Sequence, residues 1–138
     1  MGNLGLPSEK LNMMKSHLLV IAFGLLANMA DAQPLTLAAR GQPAACTIVR
    51  PADASPSQIY AVEELQKFTE QMTGVKLPIV ADDGPLPERA VLLGVTRHTA
   101  KLLGGPADLK ALGDDGFRLK TCPPHLLIVG GPVRGALY

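Results

Sequence analysis

Ser55-Pro56-Ser57-Gln58-Ile59-Tyr60-Ala61-Val62-Glu63-Glu64-Leu65-Gln66-Lys67-Phe68-Thr69-Glu70-Gln71-Met72-Thr73-Gly74 is the stretch on which the fold turns. Ser55 can cap a helix, Pro56 suits a first turn, and Gln58 stands where a capping box needs its second partner. Gly74 supplies a stop after Thr73. Wound at roughly 100° per residue, Ala61, Val62, Leu65, Phe68 and Met72 fall on one side. Glu63, Glu64, Lys67, Glu70 and Gln71 fall on the other, and Glu63 and Lys67 have the favourable i,i+4 order. A stripe of this kind has to be buried on something flat.

The flanking sequence supplies the flat surface. Thr47-Ile48-Val49 is short, β-branched and apolar and reads as a strand before the helix. Leu77-Pro78-Ile79-Val80 reads as the strand after it, with Pro78 placing it at an edge or at a strand start. Ala90-Val91-Leu92-Leu93-Gly94 is a continuous apolar run suited to a strand covered on both faces. Residues 96–103 read as a short helix broken by Gly104-Gly105-Pro106, and residues 107–112 as a further helical turn. Phe117-Arg118-Leu119-Lys120-Thr121 alternates as a half-exposed strand does, and Leu126-Leu127-Ile128-Val129 is another buried strand. The short Cys122-Pro123-Pro124-His125 connection makes these last two a hairpin. The expected architecture is α/β: a two-layer sandwich of one long helix plus short helices on a four- to five-stranded mixed sheet.

Residues 18–27 form an apolar run interrupted by Gly24, preceded by Lys15 and followed by Ala30-Asp31-Ala32. That order is the one a secretory signal peptide follows, so residues 1–32 are expected to be removed after Ala32, and the product to be secreted or periplasmic with no stable membrane span. Residues 1–12 are unlike an ordinary n-region, and Met13 or Met14 is an alternative start. Residues 33–46, rich in Pro, Ala and Gly, read as a leader, and residues 47–138 as one domain. The net charge is +1 with no basic cluster, which sets nucleic acid aside as a partner. There is no Trp and only three Phe and two Tyr, which argues against an aromatic sugar platform. Export permits a disulfide, and Cys46 and Cys122 are the two cysteines available; two separate buried thiols are the alternative.

The chain offers little chemistry. Glycoside hydrolysis uses two carboxyls facing one another across the bond. Glu63 and Glu64 are successive helix residues and diverge, while Asp82-Asp83 and Asp114-Asp115 each precede a glycine and read as turn residues. His98 and His125 read as solvated loop or helix positions, and no cysteine and histidine spacing matches a zinc site. Ser55 is used as a cap, and no nucleophile-elbow pattern surrounds Ser55 or Ser57. Gly130-Gly131-Pro132-Val133-Arg134-Gly135 matches neither phosphate-binding fingerprint and reads as a corner after a strand. No catalytic residue, metal or cofactor is expected.

From about residue 48 to 138 the sequence resembles the N-terminal domain of α-glucuronidases of glycoside hydrolase family 67, and the related domain 2-like region before the barrel in family 20 β-hexosaminidases. Four stretches carry the resemblance. They are Ala61-Val62-Glu63-Glu64-Leu65-Gln66-Lys67-Phe68 running to Met72-Thr73-Gly74 and Leu77-Pro78-Ile79; Val91-Leu92-Leu93-Gly94; Asp115-Gly116-Phe117-Arg118-Leu119-Lys120; and Leu127-Ile128-Val129-Gly130-Gly131-Pro132 with Arg134-Gly135-Ala136-Leu137-Tyr138. The resemblance implies a zincin-like α/β sandwich without metal that precedes a (β/α)8 barrel. The catalytic carboxylates belong to that barrel, and no position here matches them. It also implies that residues 134–138 begin the helix leading to the barrel, so that the domain is cut short, and that Arg134 and Tyr138 face the barrel or the sugar. The function so implied is a non-catalytic accessory domain of a secreted glycoside hydrolase acting on polysaccharide of the xylan/glucuronate or hexosamine type. The alternatives are a stand-alone module that binds oligosaccharide and a protein-interaction domain of the cell envelope.

Overall fold

Ser55 begins the long helix as its sequence requires. In the computed structural model, which describes residues 34–131 and Gly135, the Ser55 hydroxyl accepts from the Gln58 amide at 3.3 Å and the Gln58 side-chain oxygen accepts from the Ser55 amide at 2.9 Å. Helix α1 runs over Pro56–Thr73 and ends on Gly74, whose φ of 74° is the left-handed turn that a residue without Cβ adopts freely. The strands are β1 (Thr47–Arg50), β2 (Ile79–Ala81), β3 (Ala90–Leu93), β4 (Phe117–Cys122) and β5 (His125–Gly130). A short helix α2 (Thr99–Leu103) and a 3₁₀ turn at Lys110–Leu112 lie between β3 and β4.

The five strands form one mixed sheet in the order β2-β1-β3-β5-β4. β1 pairs in parallel with β2 and with β3, β3 pairs in parallel with β5, and only the β4–β5 hairpin is antiparallel. Parallel neighbours need a crossover, which α1 supplies between β1 and β2 and α2 between β3 and β5. Because side chains alternate across a strand, each central strand feeds two cores. Ile48, Val91 and Leu93 pack with Ala61, Val62, Val75 and Leu77 on the α1 side. Val49, Leu92, Leu127 and Val129 pack with Leu102, Leu103 and Leu109 on the other. The α/β reading therefore holds, with five strands where four to five were expected, and the short helix packs on the face opposite α1.

The buried stripe of α1 differs from the one the sequence pattern suggests. Ala61, Val62 and Thr69 are buried and Leu65 packs against them, whereas Phe68 and Met72 are 51% and 67% exposed. The contact face lies a fraction of a turn away because a polar residue occupies it. Thr69 donates its hydroxyl to the Leu65 carbonyl at 2.7 Å, so its remaining surface is a methyl that can enter the core. Phe68 lies outside with the Lys67 ammonium 5.3 Å from its ring centre. Lys67 pairs with Glu64 at 3.0 Å, not with Glu63.

The turn chemistry also moves two boundaries. Pro78 lacks an amide proton and its carbonyl accepts from the Ile48 amide at 2.8 Å, so the strand proper starts at Ile79. Thr96 and Thr99 join their hydroxyls at 3.0 Å, which spends residues 96–98 on a turn before α2 begins.

Substitutions on the two faces of α1 should therefore part company. Val62→Asp puts an unpaired charge at a position only 1% exposed and should abolish cooperative unfolding in a circular-dichroism melt. Phe68→Asp should keep the fold and shift stability by about 0.5 kcal/mol or less, as exposed substitutions do.

Candidate functional site

Open α/β sheets bind ligands beyond the carboxyl ends of their strands, where crossovers diverge to the two faces. Here that point lies between β1, whose crossover helix α1 covers one face, and β3, whose crossover helix α2 covers the other. The residues there are Pro51 and Ala52 after β1, Asp82 after β2, and Gly94 to Arg97 after β3.

The protein fills this crevice with its own groups. Asp82 is 5% exposed, and its carboxylate accepts from the Ala52 amide at 2.9 Å and from the Arg97 amide at 2.7 Å. Burial works against its ionisation, but the two amides, with the Arg97 charge beside them, outweigh it and hold the carboxyl below the usual Asp range. Gln58 closes the other side. Gly94 has a φ of 89°, and a Cβ there would lie 2.6 Å from the Gln58 side-chain nitrogen. Thr99 donates to the Gly94 carbonyl at 3.4 Å and accepts from the Thr96 amide at 2.9 Å. Where a doubly wound enzyme would take an anionic ligand, this chain places an internal carboxylate that ties the β1–α1 and β3–α2 loops together. Asp82 read as a simple turn residue because its partners stand 30 and 15 positions away in sequence.

The other acidic pairs show no shared focus. Glu63 is exposed and Glu64 is taken up by Lys67; Asp83 is exposed beside the inward-pointing Asp82; Asp114 and Asp115 are both exposed. A cavity of about 460 Å³ opens at the amino ends of β1 and β3, lined by Cys46, Thr47, Pro78, Pro87, Glu88 and Arg89 among others. It offers a single carboxylate, where glycoside hydrolysis needs two. Among the described residues no group of three His, Cys, Asp or Glu is arranged to hold a metal.

Cys46 and Cys122 are free thiols on opposite faces of the sheet. Cys46 donates to the Leu37 carbonyl at 3.3 Å and Cys122 to the Leu102 carbonyl at 3.5 Å, so the disulfide considered above is not formed. Burial raises the Cys46 pKa, which makes it a poor nucleophile. His125, expected in a solvated connection, is buried at the start of β5. The glycine-rich stretch is a crowded backbone crossing: Gly131 donates to the Gly116 carbonyl at 2.7 Å, and a Cβ on Gly116, Gly131 or Gly135 would overlap neighbouring backbone. Arg134 and Tyr138 lie outside the described residues, as does the expected signal peptide.

The described part of the chain is thus a small sheet domain whose polar groups close its own loops. The family model described as "Glycosyl hydrolase family 67 N-terminus" matches residues 32–138. The chain belongs to that family. This family 67 N-terminal domain is also similar to "Probable alpha-glucuronidase A" of Aspergillus terreus, at 31% identity over 78 residues, which is 56% of this chain. The match spans 9% of that relative's length. Among the described residues no helix is long and apolar enough to cross a membrane.

Asp82 sets a testable requirement. Asp82→Ala should cost about 2–4 kcal/mol, since two charge-assisted bonds are lost and two amides are left without their partner. The wild-type contribution is complete above the ordinary Asp value of 3.8 and is lost as the pH falls through the lower folded value. Urea titrations from pH 7 down to about 2.5 should show the wild-type and Asp82→Ala curves converging at the acid end.

Proposed function

We propose that this chain serves as the non-catalytic N-terminal accessory domain of a secreted glycoside hydrolase that acts on glucuronate-bearing polysaccharide of the xylan type. The carrying observation is the family match over residues 32–138, in a family defined as an N-terminus, combined with a span of only 9% of a relative named as an α-glucuronidase. Two physical observations support it. The crevice at the strand ends is closed by Asp82 and Gln58, and the acidic pairs are spent on pairing, turns and solvent. In this reading the bond-breaking carboxylates reside in a catalytic (β/α)8 domain that follows. This domain folds on its own core and packs beside it. Residues 1–32 direct export and are cleaved after Ala32.

The chain by itself should release no glucuronate from aldouronic oligosaccharides or from an aryl α-glucuronide. Turnover that survives repurification and tracks with the folded chain would overturn the accessory role. Chemical sequencing of the exported protein should begin at Gln33.

A further inference from the structure

The sheet ends at β2 on one side and at β4 on the other. β2 is three residues long and opens after Pro78, which has no amide proton to offer, so that edge is blunted. β4 is six residues long, and Phe117, Arg118, Leu119, Lys120 and Thr121 are all exposed. Just beyond the paired strands Gly131 donates to the Gly116 carbonyl, which makes these two glycines a hydrogen-bonded pair of the antiparallel ladder. Alternation then turns the amides and carbonyls of Arg118, Lys120 and Cys122 toward β5, and those of Phe117, Leu119 and Thr121 outward. Among the described residues no backbone bond reaches that outward row.

The two faces of β4 differ in chemistry. Leu119 lies opposite Ile128 and Thr121 opposite Leu126, and both of those β5 residues are only partly buried on the α1 face of the sheet. α1 packs chiefly over β1, so this end of the face is left open. Phe117 shares the face with Leu119 by alternation, and the two are 47% and 59% exposed. Together with Leu126 and Ile128 they make an apolar strip that runs to the edge of the sheet. Arg118 and Lys120 stand on the opposite face, and among the described residues no carboxylate pairs with either. A second copy of this chain fits the edge badly, because β4 laid against β4 would bring these cations onto one another.

We propose that β4 is a docking edge that takes an extended segment of a separate protein as a sixth strand, and that this segment alternates apolar and acidic residues. Residues directly opposite across two strands share a face. The apolar residues of the incoming strand therefore extend the strip of Phe117 and Leu119, while its carboxylates meet Arg118 and Lys120. The outward amides and carbonyls of Phe117, Leu119 and Thr121 supply the main-chain bonds, and the two faces supply the selectivity. An unpaired, half-apolar edge of this length otherwise invites aggregation, and the two cations restrict which strand it accepts. The accessory role proposed above assigns nothing to this edge, and the docking does not rest on it.

The probe is a capped peptide of about eight alternating valine and glutamate residues, titrated into the full chain at low salt and followed by NMR. Saturable binding with a Kd below about 1 mM is expected. The largest shifts should fall on the amides of Phe117, Leu119 and Thr121, and added salt should weaken the complex. A peptide with lysine in place of glutamate should not bind, nor should one N-methylated along the side that meets β4. Arg118→Glu combined with Lys120→Glu should weaken binding by about tenfold or more. Leu119→Pro removes an amide that gives nothing to β5, so it should keep the fold and lose the peptide. Should Leu119→Pro not fold, the charge-reversed variant decides, since both of its sites are exposed. No saturation by about 1 mM overturns the proposal, as do shifts away from β4 or equal binding of the lysine peptide. Slow hydrogen exchange at the outward amides of the free chain also overturns it, because the chain or a second copy then already covers the edge. None of these outcomes bears on hydrolysis, so the docking edge and the accessory role stand or fall separately.

Discussion

The structure depends on the double burial of β1. Ile48 and Val49 are 0% and 1% exposed and look to opposite faces, so a four-residue strand anchors both cores at once. Among the described residues it is the first element, and it has parallel partners on both sides. Its neighbours must therefore be delivered by crossovers, and the long helix has to lie over Ile48. Each of those two side chains contributes roughly 1.5–3 kcal/mol on removal from water. Neither can be exchanged without disturbing a different layer.

From that strand the loops follow. Parallel strands finish at one edge of the sheet, where their chain reversals crowd together and their amides need acceptors. A single carboxylate at the end of β2 answers two of those amides, and a capping glutamine fills the space that Gly94 leaves. The edge where other α/β proteins hold a ligand is consumed by self-assembly. The same economy recurs at the far end of β5, where Gly116, Gly131 and Gly135 let three backbone segments meet at distances that a side chain would forbid. The family to which the chain belongs is described as an N-terminus.

Two imidazole nitrogens depart from this pattern. Elsewhere the buried polar groups described here have partners: Thr69 bonds back to Leu65, Thr99 to Thr96 and Gly94, Gln66 to the Leu77 carbonyl at 2.6 Å. Nε2 of His98 and Nδ1 of His125 are buried without a hydrogen-bond partner.

The capping box at Ser55, the stop at Gly74, the apolar runs that become β3 and β5, and the hairpin were all legible in sequence, because each rests on contacts between residues near in the chain. So was the family resemblance, carried by short motifs kept in order. The inward face of α1 was not, because periodicity counts Thr69 as polar and Phe68 as apolar, while the fold judges each by whether its hydrogen bond is already made. The role of Asp82, the burial of His125 and the separation of Cys46 from Cys122 were equally hidden. They depend on which strands become neighbours and which face each side chain takes. That is decided only when β3 inserts between β1 and β5 and the sheet closes over both cores.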